Sequence, residues 1–153
     1  MYNKFIEDIK YKSCLHIKGR KYTVYSKTHY TTKSENSYYV KIKLSEDKIL
    51  LIIPNDETIC IGEVIDNMEY KQIDKDTISF RDDTYKKVGS DYQLVKEIEF
   101  GDFTNTEGEC EFIDYESKDG NKTISLGLLK PSNERADVYA SVIDIKDIKF
   151  ITK

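Results

Sequence analysis

The chain has 153 residues, 39% of them hydrophobic and 34% charged, which provides for one packed domain and argues against disorder. The longest apolar run, Ile49 to Pro54, is too short for a membrane helix. The opening MYNKFIEDIKYK carries charges inside its apolar stretch and no small-residue cleavage site, so a cytoplasmic protein with no signal peptide and no membrane insertion is expected. The net charge of −4 is unevenly spread: residues 1–53 sum to +6 and residues 54–153 to −10. Complementary surfaces therefore exist by composition alone, which bears on association and not on fold. Cys14, Cys60 and Cys110 are odd in number and form no CxxC, so the expectation is buried free thiols, with neither a disulfide framework nor a zinc site.

In chain order, KYTVYSKTHYTT alternates and is dense in β-branched and aromatic residues, which predicts a strand. TKSEN then makes a hairpin loop, and SYYVKIKL returns with Tyr38, Val40, Ile42 and Leu44 on one face and Tyr39, Lys41 and Lys43 on the other. KILLIIP is apolar on both faces, which predicts a central strand ended by Pro54. TICIGEVI follows, with Gly62 placed for a bulge. The polar DNMEYKQIDKD admits one helical turn capped by Asp66. TISFRDDTYKKVGS reads as a hairpin turning at Asp82 and Asp83, and DYQLVKEIEF, ambiguous by period, is taken as strand. CEFIDYES, KTISLGLL, ADVYASVI and DIKFIT complete the series, with turns at residues 118–121, 131–134 and 144–147. Short strands with almost no convincing helix predict an all-β antiparallel sandwich or barrel-like fold. It is expected as a single β domain over 1–153, with two β-rich halves, 1–65 and 91–153, joined by a polar middle segment and echoing each other without a residue-level repeat.

Sites for chemistry are sparse. DYESKDGNK sets Asp114, Glu116 and Asp119 close together, but the fifth position of a calcium loop would be Lys118 and Gly120 comes one place late, so a hairpin turn is the better reading. Cys14 and His16 would share one strand face as half of a metal or nucleophile site, and one pair at period two is a weak signal. His29 stands between Thr28 and Tyr30 with no Asp or Cys nearby in sequence. Asp82 with Asp83, or Glu107 with Glu109 and Glu111, could supply acid–base pairs but suit a solvated surface in so acidic a chain. Glycine-rich phosphate loops, G-x-S-x-G and H-E-x-x-H are absent. Seven of the twelve tyrosines lie among the lysines of residues 1–53. That mixture could stack bases and hold phosphates, but half-buried strand faces account for it more simply.

The order KGRKYTVYS, SYYVKIKL, DKILLII, EGECEFIDYESKDGNKTISLGLL and RADVYASVID resembles the bacterial domain of unknown function 4178. Gly19, Tyr22 and Val24 match a G-x-x-Y-x-V strand, Tyr39, Ile42 and Leu44 resemble a second, and Gly108–Glu109 resembles a later G-E segment. Lys41 stands where that family tends to carry Glu, and its tryptophans are missing here. The resemblance implies an all-β fold and supplies no catalytic residue. No catalytic, cofactor-binding or metal residue is assigned from the sequence, and no cofactor is expected. The leading expectation is a non-catalytic binding or scaffolding module acting by protein–protein contact or self-association, with KTISLGLL and DIKFIT as candidate edge strands. The rivals are a small enzyme with a cleft between the halves and a weak nucleic-acid binder using the first third. Overall acidity makes nucleic acid the less favoured partner.

Overall fold

The computed structural model describes residues 1–101, 109–130 and 132–151. Among the described residues there are one short α-helix, α1 (Tyr2–Asp8), and twelve strands: β1 (Cys14–Ile17), β2 (Arg20–Thr32), β3 (Tyr38–Leu44), β4 (Lys48–Ile53), β5 (Thr58–Ile65), β6 (Lys71–Asp74), β7 (Thr77–Phe80), β8 (Asp83–Phe100), β9 (Cys110–Ser117), β10 (Lys122–Leu129), β11 (Asp137–Ile143) and β12 (Ile148–Phe150). All pairings are antiparallel, as an all-β chain of short connections requires. The order is β12-β1-β2-β3-β4-β5-β11-β10-β9-β8-β7-β6, and an additional β2–β8 pairing closes the eight strands from β2 to β8 into a barrel.

Closure depends on two long strands that change partners along their length. The first part of β2 pairs with β1 and its second part, from Lys27, with β8; the first part of β8 pairs with β7 and its second part with β2. Bulges make the bends. Register shifts leave Tyr25 extra on β2 against β3, and Lys96 and Glu99 extra on β8 against β2.

The barrel wall buries both of its faces. On the outer face, Val24, Val40, Ile42, Leu50, Ile52 and Ile59 pack beneath a first cap made of α1, β1 and β12, through Phe5, Ile6, Ile9, Leu15, Ile17 and Ile148. Farther round, Tyr85, Tyr115 and Ile124 pack with a second cap carrying Met68, Ile78 and Phe80. Each fully buried aliphatic side chain contributes about 2 kcal/mol. Strands β5 and β11 serve both cores, Ile59 and Ile143 in the first, Ile65 and Tyr139 at the second. The KILLII segment is apolar on both faces because its alternate residues line the ring on one side and the first cap on the other.

Some expectations are corrected. Gly62 is not a bulge: β5 keeps register with β4 and β11 through it. It is glycine because an added Cβ would lie 2.6 Å from the Tyr139 carbonyl oxygen and 2.7 Å from the Ala140 Cβ. The 66–76 stretch holds a turn and β6, not a helical turn, because pairing with β7 outweighs a weak cap. KTISLGLL is β10, paired on both sides and so not an edge; DIKFIT supplies β12, which ends the sheet order. The residue 91 boundary falls within β8. The helix α1 has no side-chain cap and is too short to persist alone. It is held by tertiary contacts of Phe5 and Ile6.

Candidate functional site

The stretch that invites a metal reading is a turn. Asp119 Oδ1 accepts from Ser117 Oγ at 2.7 Å and from the Asn121 amide at 2.9 Å, and Gly120 takes φ +75°. Asp114 and Glu116 share a strand face, as alternation requires, while Asp119 lies beyond it in the turn. Among the described residues no three His, Cys, Asp or Glu side chains gather as a metal site. Cys14 and His16 share the outward face of β1, where His16 is flanked in register by Lys21 and Lys149 rather than by an acid. Asp82 and Asp83 are exposed at a turn, and Glu109 and Glu111 are exposed. Glu107 lies outside the described residues. All three cysteines are free thiols, but only Cys60 and Cys110 are buried, Cys14 being half-buried on the short strand β1; burial pushes the Cys60 thiol up to about 11, with Glu116 adding to the rise.

The one His with a chemical neighbourhood is His29. Pairing of β2 with β3 and β8 assembles Lys27, His29, Tyr38 and Glu99 beside α1, in an open cleft of about 590 Å³ also lined by Asn3, Ile6, Glu7 and Lys10. Lys27, 1% exposed, donates to the carbonyl oxygens of Ile6 and Ile9 at 2.8 Å each and pairs with Glu99 Oε2 at 2.9 Å. His29 Nε2 meets Glu99 Oε1 at 2.9 Å and Nδ1 meets the Tyr38 hydroxyl at 2.7 Å. A carboxylate can only accept, so Nε2 carries a proton toward Glu99, while Nδ1 shares a hydrogen bond with the Tyr38 hydroxyl. The bulge at Glu99 aims its carboxylate at both partners. Burial alone would raise that carboxyl, but the hydrogen bonds and charges of Lys27 and His29 hold it below the usual range.

Taken as a catalytic relay, the cluster has weak points. Both His29 nitrogens are engaged, Lys27 spends its donors on α1 and Glu99, and Tyr38 is pushed up by burial and by Glu99 and Glu97, the wrong direction for a nucleophile. Its chemistry suits a strut between helix and barrel. Sequence reasoning missed it because His29 and Glu99 lie 70 residues apart. A lysine within an apolar-aromatic strand was the one available signal.

The inner wall forms a second polar region. Tyr39 of β3 reaches over β2 to donate to Gln93 of β8 at 2.7 Å, a contact made on the concave side of the ring. Tyr39 stacks on Tyr30 with centroids 5.4 Å apart, and Lys41 Nζ lies 5.1 Å from the Tyr30 ring centre. Burial raises the Tyr39 phenol, and the charges of Asp114, Cys110 and Asp91 add to the rise. Asp114 is raised by burial and by Glu116, against a hydrogen bond to Ser125 and the charge of Lys41.

A third region is exposed. Tyr11, Tyr25, Phe100 and Gly101 line an open aromatic notch. Tyr11 and Tyr25 are 54% and 47% exposed, and Tyr11 meets Phe100 edge-on with centroids 6.0 Å apart. The Tyr25 bulge turns that ring outward, while Gly101, at φ +107°, lets β8 end against Ser26, where a Cβ would lie 2.3 Å from the Ser26 Cβ. The row Lys149–His16–Lys21 crosses three strands in register. Comparison with protein-family models, curated proteins and solved structures finds no match to this chain. No helix among the described residues is long and apolar enough to cross a membrane.

Proposed function

We propose that this chain is a non-catalytic binding module that works by protein–protein contact through the basic, aromatic face of its first cap. The observation that carries the reading is the notch of Tyr11, Tyr25 and Phe100, two of whose rings stand about half exposed. Exposed tyrosines offer large, rigid contact area at low entropic cost and serve as anchors in interfaces. The polar cluster under α1 supports the same reading from the other side, since its reactive groups are occupied with one another. The resemblance to domain of unknown function 4178 likewise brings no catalytic residue.

The test places a photo-cross-linking phenylalanine analogue at Tyr25 in the source cells, with exposed Glu35 as the control position. A discrete protein adduct from the Tyr25 position alone, diminished by Tyr11→Ser, is the expected result. Adducts to nucleic acid only would replace this reading with the nucleic-acid one. Small-molecule turnover abolished by His29→Ala in a folded protein would replace it with an enzyme working from the cleft beside α1.

A further inference from the structure

The two caps differ in charge. Over the first cap, residues 1–21 and 144–151 hold eight lysine and arginine side chains against four carboxylates, with five of the cations and no carboxylate in residues 10–21, and Lys149 on β12 lies in register with His16. Residues 66–83 hold six carboxylates against three cations. One of those cations, Arg81, lies 3.8 Å from Glu63, which lies outside that stretch and reduces its effect there. The two caps belong to separate hydrophobic cores and terminate the sheet order, β12 at the basic end and β6 at the acidic end. Each terminal strand presents an apolar side chain to solvent, Phe150 at 40% exposure on β12 and Ile73 at 53% on β6.

From this complementarity we infer that the partner of the basic cap is the acidic cap of a second copy of this chain, with β6 of one copy laid against β12 of the next. The inference rests on the binding-module reading and supplies its partner. The two surfaces are different patches, so the contact is heterologous. A pair so formed keeps one unused end of each sign, and association runs beyond two unless the rotation closes a ring. The terminal strands have only three and four residues and carry Lys149 and Lys71, so few backbone hydrogen bonds can form. Attraction between exposed charges contributes the larger part, and it is screened within a Debye length of about 8 Å at physiological salt. The assembly is therefore weak, reversible and favoured by low salt.

Sedimentation of the full chain and of two charge-reversed variants tests this. One variant carries Lys21→Glu with Lys149→Glu and the other Asp76→Lys with Asp83→Lys. All four positions are exposed and lie outside both cores, and circular dichroism checks that each variant is folded. The unaltered chain is expected to form species larger than a dimer at low salt, with apparent affinity falling about tenfold or more as salt is raised to several hundred millimolar. Each variant alone should associate far more weakly at the same concentrations, and an equimolar mixture should recover association, because the intact ends are complementary and the reversed side chains are too. A second readout is a zero-length cross-link joining Lys149 of one isotope-labelled copy to Asp74 or Asp76 of an unlabelled one. A strict monomer at millimolar concentration and low salt, a closed two-fold dimer, or assembly unaffected by both reversals each overturns the inference. If a strict monomer still gives a foreign protein adduct at Tyr25, the partner is wrong and the binding-module reading stands; if neither is found, both fall.

Discussion

Glu99 and Asp114 are two carboxylates of one barrel, held in opposite ways. Glu99, beside α1, is paired with Lys27 and His29, and its carboxyl is lowered. Asp114, on the inner wall, has a Ser125 hydrogen bond and the charge of Lys41, yet burial and Glu116 raise it. The difference is one of supply. The bulge at Glu99 points its carboxylate at two donors, whereas Asp114, regular in register only toward β10, stands opposite Ser125 there and has no cation hydrogen-bonded to it among the causes of its shift. Charge beside α1 thus contributes to stability, and charge on the wall costs some.

The largest expected way to break this contrast is Lys27→Met. It leaves two helix-end carbonyl groups and Glu99 without their cation, for a loss of about 3 kcal/mol in urea unfolding. Hydrogen exchange should quicken in α1 and leave β7 unchanged, because the second core has no part in that cluster. His29→Ala follows, removing the bonds to Tyr38 and Glu99 at a cost of about 2 kcal/mol by the same measurement. Glu99→Gln should cost about 1 kcal/mol at neutral pH, a figure kept small because Glu99 is 35% exposed and screened.

The pH dependence of these two carboxylates sharpens the contrast. A lowered folded-state carboxyl gives Glu99 a contribution that is present above the ordinary carboxylate range and lost as pH falls through its lowered value. Glu99→Gln should therefore flatten the acid limb of stability against pH. Asp114 behaves the other way. Its raised carboxyl favours the folded state most below the ordinary aspartate range, and that advantage is lost as pH rises through the raised value. Asp114→Asn, the smallest change, should raise the urea midpoint at neutral pH and lose this gain in acid. Equal slopes for the two variants would show that their surroundings are alike.

Strand content was legible from alternation, and the buried KILLII strand from its two apolar faces. The sense of the barrel was not. Tyr39, Lys41 and Lys43 form the polar stripe of β3, which a two-layer protein would turn to water, yet Tyr39 and Lys41 line the ring while Val40, Ile42 and Leu44 face a cap. Periodicity tells which residues share a face and is silent on which face looks inward. The helix escaped notice because seven residues without a side-chain cap carry no local signal, and its support from Lys27 is tertiary. The Glu99 contacts depend on two bulges, and a single unpaired residue leaves no mark on composition. The aromatic notch was visible only as an abundance of tyrosine.

Ring closure joins Lys27–Thr32 to Gln93–Phe100. During synthesis β2 can take β3 as a neighbour almost at once, but its other edge waits while some sixty further residues leave the ribosome. At ordinary elongation rates that is several seconds or more with an unsatisfied strand edge. The barrel is thus most open to wrong pairing while it is being made, and helpers that hold nascent chains would matter most in the interval between the emergence of Thr32 and that of Phe100.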